Sequence, residues 1–261
     1  MKAIILAAGM GTRLGKYTQD KPKCMLVFNK KPLLHTQIET LRACGIRDII
    51  VVRGYMPDKI KFDNARHYIN KDYENTNMVE TLMCAEKELD DDVLVCYSDI
   101  IYEKRVIKKI LHGKSDSGVT ADNDYWPYWK ARYDHPENDI ESFVIKNNKI
   151  VELGMPATKK NAKIRYVGLI KFSKKGISNF RKIYHRNKKR FFGKDEPWLG
   201  SKSFKKAFMT SMLMAMIKEG YELNPIIIRH GWLEFDTVQD YERAEKWLKE
   251  GSLERFYNSN F

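Results

Sequence analysis

Acidic surplus, long apolar runs and paired cysteine motifs are all missing from this 261-residue chain. Its four cysteines, Cys24, Cys44, Cys84 and Cys96, are scattered, without C-x-x-C spacing or a disulfide framework. Reduced thiols and a cytoplasmic setting are therefore expected. No apolar stretch approaches the roughly 20 residues of a membrane span, so no membrane partner is expected. The chain opens directly into an apolar strand, and the expectation is that no signal peptide precedes it. Internal repeats and low-complexity linkers are lacking too, which points to one continuous domain over 1–261. The six histidines have no metal-ligand spacing, and His35, His67 and His230 read as surface or capping groups. No Ser/His/Asp order suggests a nucleophile.

Basic charge is in excess and unevenly placed. The net charge is +13, yet Lys159 to Lys206 holds 17 Lys or Arg against Asp195 and Glu196, so the remainder carries about −2. One reading is a nucleic-acid-binding protein, tested by a steep fall of log K with log salt. The chain has no zinc-finger, KH or RRM signature, so no nucleic-acid partner is expected. The favoured reading is a solvated face or a basic rim that draws in anionic substrates.

The organising stretch is 1–25. Lys2 to Ala7 is a short apolar run that stops at Ala8-Gly9-Met10-Gly11-Thr12-Arg13-Leu14, with Lys21-Pro22-Lys23 close behind. This is the pattern of a buried parallel strand ending at a ligand-binding loop. Gly9 and Gly11 are expected to take φ > 0 and approach a phosphate closely, and Arg13 and Lys23 are cations placed to neutralise it. The dinucleotide fingerprint is excluded because Leu14 stands where its third glycine belongs. A P-loop is excluded because Tyr17 follows Gly15-Lys16.

Further strands are predicted at Ile49–Val52, His67–Asn70 and Val93–Tyr97. Helices are predicted over 32–43, 77–89 and 104–112. The alternation implies an α/β fold with a doubly wound, mostly parallel sheet, nucleotide-binding over 1–119. Ligands in such sheets bind beyond the carboxyl ends of the strands, where the glycine loop, Gly54 and Asp99 all fall. After Val119 the composition changes. Asp122 to Asp139 is rich in aromatics, Pro, Asn and Asp. A hairpin turning at Asn147-Asn148 follows, then a strand at Tyr166–Phe172, helices over 177–190 and 205–218, a strand at Pro225–Ile228 and a last helix over 238–250. The half 120–261 is expected to bind an acceptor.

Ala7 to Leu14 with Pro22-Lys23 resembles the signature of the nucleotidyltransferases that make sugar nucleotides, CDP-choline and related activated metabolites. The resemblance covers most of the chain and is most specific at 2–23 and 93–99. It implies a Rossmann-like sheet with an acceptor-side insertion and a Mg2+-dependent transfer from an NTP. Asp99, ending Val93 to Ser98, and Asp236, in Trp232-Leu233-Glu234-Phe235-Asp236-Thr237, match the family's metal-binding aspartates. Each also reads as a helix N-cap. Asp240 is assigned to the last helix and Glu234 to a supporting role. By the same resemblance Leu6, Ala8, Gly9, Gly11, Thr12, Gly54, Asn77 and Ser98 surround the nucleotide, with Arg13 and Lys23 on the reacting phosphates.

Residues 122–168 resemble the cytidylyltransferases that activate phosphocholine, aminoethylphosphonate and similar phosphorylated amines, which implies CTP as co-substrate. A near relative by resemblance acts on phosphorylated glutamine in capsular phosphoramidate synthesis. Asn75 to Glu80 departs from the Gln-Pro-x-Gly element usual in sugar-1-phosphate transferases, the alternative reading with UTP, dTTP or GTP. Carboxylates beside Trp126 and Trp129 would attract a cationic amine, the rings by about 0.5–2 kcal/mol. Arg132 would take a phosphate or carboxylate. Trp126, Trp129, Arg132 and Glu141 are thus the expected acceptor contacts, with glutamine phosphate ranked before phosphocholine. The tryptophans read equally well as cover for the sheet. A homo-oligomer is compatible with this reading.

Overall fold

The computed structural model describes residues 1–158 and 160–258. The first half runs β1 (Lys2–Ala7), the short pair β2 (Val27–Phe28) and β3 (Lys31–Pro32), α1 (Leu33–Ala43), β4 (Asp48–Arg53), β5 (Arg66–Ile69), α2 (Met78–Met83), β6 (Val93–Tyr97), β7 (Ile100–Tyr102) and α3 (Lys104–His112). The second half runs β8 (Ser117–Asp122), α4 (Trp126–Arg132), β9 (Glu141–Lys146), β10 (Lys149–Pro156), β11 (Arg165–Phe172), α5 (Lys174–Phe191), α6 (Met209–Lys218), β12 (Asn224–Ile228), β13 (Trp232–Glu234) and α7 (Val238–Lys249).

Seven strands form one sheet in the order β12-β8-β11-β6-β1-β4-β5. Every neighbouring pair is parallel except those made by β11, which runs against both β6 and β8. The expected mixed, mostly parallel doubly wound sheet is thus present. The central strands β1, β4 and β6 carry apolar runs because both faces are covered. Ala3, Ile5 and Ala7 of β1 point into a core shared with α1 and α3, while Ile4 and Leu6 point into the opposite core with α2, α5 and α6. β1 lies between β4 and β6, so the chain leaves it first to one side and later to the other. That reversal opens a crevice past the ends of β1 and β6.

The structure adds to the sequence reading at three places. The compositional boundary at 119/120 falls inside β8, so the two halves share one sheet. β8 is buried throughout, but Ser117, Gly118, Thr120 and Asp122 break any apolar run, so it has no periodic signal. Residues 126–132, to which the sequence pattern assigns no element, form a helix, with Pro127 in the first turn where its missing N–H costs nothing. The helix expected from Lys205 begins at Met209, because 203–207 close as turns from Lys206 N to Ser203 O and Ala207 N to Phe204 O.

The β9–β10 hairpin turns where expected. Asn147 and Asn148 have φ of 49° and 58°, as a two-residue primed turn requires. All four cysteines are free. No helix among the described residues is long and apolar enough to cross a membrane.

Candidate active site

A cleft of about 450 Å³ lies past the carboxyl ends of β1 and β6. Leu6, Ala8, Gly9, Gly11, Thr12 and Arg13 line it from the glycine loop, and Lys23, Asn77, Ser98, Asp99 and Asp236 line it from elsewhere. Only Gly11 of the two loop glycines needs its freedom. Its φ is +72°, and a Cβ there would sit 2.9 Å from Cβ of Lys23, so a side chain would block the lysine's path beneath the loop. The loop is tied back by Leu14 N and Thr18 Oγ1, each donating to Gly11 O at 2.9 Å. Gly9 lies outside the left-handed region, with open space where a Cβ would be, which corrects the expectation of φ > 0 there.

Gly54 is also corrected. A Cβ on it would fall 2.7 Å from Cβ of Ala8 and 2.8 Å from Cβ of Tyr73. It makes room for the protein behind the loop, and Tyr55 N donates to Ala8 O there. Asn77 lines the cleft and also caps α2, its Oδ1 accepting from Met78 N at 2.8 Å.

The charged centre is a knot. Lys23 Nζ donates to Asp99 Oδ2 at 2.7 Å and to Asp236 Oδ1 at 2.6 Å, and Arg13 Nη2 pairs with Asp236 Oδ2 at 2.6 Å. Burial works against the Lys23 charge, but the two aspartates outweigh it and raise its pKa above the ordinary lysine value. Burial likewise works against the Asp236 charge, and the Lys23 ammonium, with Arg13 beside it, holds that carboxyl below its usual range.

A small ribbon brings the two aspartates together. β7 begins directly after Asp99 and pairs antiparallel with β13, Ile100 facing Glu234, and Phe235 N donates to Asp99 O at 2.9 Å. Neither aspartate is a helix N-cap. Asp99 precedes a strand, and Thr237 caps α7 in a capping box with Asp240. Asp240 Oδ2 also accepts from Asp236 N at 2.9 Å, so the capping carboxylate fixes the backbone that carries the site aspartate.

Behind the knot, Arg132 corrects another expectation. It is fully buried, donating from Nε and Nη2 to the two Asp240 oxygens at 2.9 Å each and from Nη1 to Glu234. It supports the site and does not face the cleft. Trp129 is fully buried, its Nε1 donating to Asp139 O at 2.8 Å, with the guanidinium carbons of Arg132 and Arg165 4.5 and 4.3 Å from the ring centre. Trp126 lines a separate hollow with Tyr125, Ile140, Ala162 and Lys163. The tryptophans therefore lie apart from the cleft, because α4 turns their rings into and along the core.

Glu141 does reach the site, lining a recess that continues from the cleft. Burial pushes its carboxyl up, and that of Glu234 as well, against the pull of Arg165 on the first and of Arg132 and Arg165 on the second. Asp139 and Glu234, both expected near the site, line the cleft, and so do Tyr73, Thr76, Met78, Thr81, Tyr97, Arg165 and Phe208, which were not singled out in the sequence. The signal for Arg165 was topological. It starts the one reversed strand, so it sits at the edge where the parallel neighbours end.

The chain matches the model of the MobA-like NTP transferase domain over residues 3–138. It is 33% identical over 254 residues to the CTP:phosphoglutamine cytidylyltransferase of Campylobacter jejuni, covering 93% of this chain and 98% of that protein. It is 35% identical over 107 residues to the choline-phosphate cytidylyltransferase of Streptococcus pneumoniae, an alignment spanning 40% of this chain and 47% of that protein. The solved CTP:phosphocholine cytidylyltransferase of S. pneumoniae superposes with a TM-score of 0.69 at 24% identity, covering 95% of this chain and 98% of that one, a likeness of fold.

Proposed function

The chain belongs to the family of MobA-like NTP transferase domains and is a nucleotidyltransferase, and from that premise we propose that it transfers the cytidylyl group of CTP to a small, amine-bearing phosphorylated or phosphonate acceptor. The observation that carries the reading is the knot of Lys23, Arg13, Asp99 and Asp236 on the wall of a cleft headed by the glycine loop. An acceptor oxygen attacks the α-phosphorus of CTP. The new P–O bond forms as the α–β phosphoanhydride bond breaks, and pyrophosphate leaves with that bond's electron pair. The acceptor is its own nucleophile, so the protein's work is alignment and charge neutralisation.

Arg13 offers a fork to two phosphate oxygens, and Lys23 a point charge. Lys23 exchanges its carboxylate partners for phosphate oxygens when nucleotide enters. The backbone at Leu6, Ala8 and Gly9 lies beside the base. Gly11, Thr12, Asn77 and Ser98 complete the nucleotide's surroundings. Mg2+ fits the donor set. Asp99 Oδ1 is buried without a partner, Asp99 and Asp236 converge within one ammonium's reach, and an all-oxygen pair suits a hard ion that keeps several waters. Bound there, the ion would neutralise phosphate charge.

Acidic groups lining the cleft and its recess, Asp139, Glu141 and Glu234, favour an acceptor with an amine. We rank glutamine phosphate first and phosphocholine second, a ranking that the near full-length similarity to a phosphoglutamine enzyme supports, and glutamine phosphate would place the chain in capsular phosphoramidate synthesis. The test is pyrophosphate release with CTP, UTP, dTTP and GTP across glutamine phosphate, phosphocholine, phosphoethanolamine, aminoethylphosphonate and several sugar 1-phosphates. Turnover is expected with CTP and an amine-bearing acceptor. Turnover confined to a sugar 1-phosphate with UTP or dTTP would overturn the reading.

A further inference from the structure

Beyond the cleft lies a recess of about 220 Å³, lined by Met78, Tyr97, Glu141, Arg165, Gly168, Thr210 and their neighbours. Met78, Tyr97, Arg165, Phe208 and Glu234 line both spaces, so one ligand can occupy the two together. Two glycines in its wall let Tyr97 and Thr210 pack directly against the backbone. Gly168 has φ of +84°, and a Cβ there would lie 2.9 Å from the Tyr97 ring. A Cβ on Gly154 would lie 2.4 Å from Cβ of Thr210.

The two charges facing this space are incompletely matched. Arg165 Nη1 donates to the Asp139 carbonyl at 3.2 Å, and its side-chain ion pairs are long, 3.6 Å to Asp139 and 4.0 Å to Glu141. Its Nε is buried with no partner. Arg132, on the same tryptophan ring, is by contrast held by carboxylates at 2.9 Å on two of its nitrogens. A buried guanidinium with spare donors calls for an anion, and a carboxylate beside it calls for a cation.

We propose that Arg165 and Glu141 together read the head group of an α-amino acid, so that the acceptor is an amino acid phosphorylated at its far end. This rests on the cytidylyl-transfer reading and narrows its acceptor class. Arg165 takes the α-carboxylate and Glu141 the α-ammonium, while the phosphate reaches back towards Lys23 and Arg13. The Trp129 ring and the Asp139 carbonyl hold the guanidinium in place. An acceptor with an amine and no carboxylate leaves Arg165 facing a second cation. The recess therefore selects against choline and ethanolamine phosphates as well as for amino acids.

The test compares acceptors that differ by one carboxylate. O-phosphoserine and phosphoethanolamine are such a pair, as are glutamine phosphate and its decarboxylated counterpart. In the wild-type protein with CTP and Mg2+, kcat/KM is expected to favour the carboxylate-bearing member by tenfold or more, chiefly through KM. In Arg165→Met the ratio is expected to fall to about one, and in Arg165→Lys to an intermediate value. Glu141→Gln is expected to raise KM for both members while keeping the ratio. Pyrophosphate release that favours the decarboxylated member, or a ratio that Arg165→Met leaves intact, overturns the proposal while leaving cytidylyl transfer standing. Absence of pyrophosphate with every acceptor overturns both. Should Arg165→Met fail to fold, the Arg165→Lys ratio decides.

Discussion

At the scale of single residues, Lys23 has to satisfy two carboxylates before any substrate is present. Removing either partner leaves the ammonium one carboxylate, so Asp99→Asn and Asp236→Asn are expected to stay folded. Each is expected to lower kcat by a hundredfold or more, measured as pyrophosphate release at saturating Mg2+. An unchanged kcat would remove that aspartate from the metal's set. The knot also has a pH signature. The Asp236 carboxyl is held below its usual range in the folded chain, mainly by Lys23 against the pull of burial. Its contribution to stability is therefore present above the unfolded value of about 3.9 and is lost as pH falls through the folded value. Thermal unfolding of the wild type and Asp236→Asn from pH 7 to pH 3 should show the wild type ahead at neutral pH and the gap closing in acid. A gap that widens in acid would mean that the sign is wrong.

At the scale of elements, α7 and the β7–β13 ribbon locate the chemistry. The helix starts with Thr237 Oγ1 accepting from Asp240 N at 3.2 Å, while the Asp240 carboxylate accepts from Asp236 and Thr237 N and from Arg132. Thr237→Ala is expected to lower stability by about 1 kcal/mol in urea unfolding, the ordinary value of a cap. Arg132→Met is a different case, because it strands the carboxylates of Asp240 and Glu234 in the interior. It should lower stability by about 3–5 kcal/mol. It should also lower kcat with nucleotide KM less affected, since Asp236 loses its backing. A loss under 1 kcal/mol would show that water reaches the pair.

At the scale of the whole molecule, part of the basic excess is met by carboxylates of the same fold. Along α5, Arg181 and His185 meet Glu86, Lys188 meets Glu80, and Arg186 meets Glu219. Lys159, which opens the basic stretch, lies outside the described residues. Charges spent on partners within the fold release few counterions from a polyanion. RNA or DNA is therefore expected to dissociate from the protein at roughly 150 mM salt in a mobility-shift assay. Retention there, without NTP consumption, would return the nucleic-acid reading to first place.

The residues 1–25 and 93–99 were legible without any structure. Strand, glycine turn and cation follow one another within a few positions, and local sterics and burial on both sheet faces decide them. Much of the helix and strand order was legible for the same reason, since period-2 and period-3.6 patterns are local. The strand β8 and the helix α4 were not, because their burial comes from neighbours distant in the chain rather than from an apolar pattern of their own. The same limit governs the site. That Asp99 and Asp236 are acidic and near strand or helix boundaries is written in the sequence. That they share one ammonium depends on β7 and β13 pairing across about half of the chain's length. Trp129 and Arg132 were chemically plausible acceptor contacts, and only the packing of α4 against α7 turned them inward. Arg165 carried no local mark at all, and the reversal of β11 put it in the cleft. Local chemistry thus determined the phosphate end of the site, while strand order and direction, set by long-range pairing, decided what faces the acceptor.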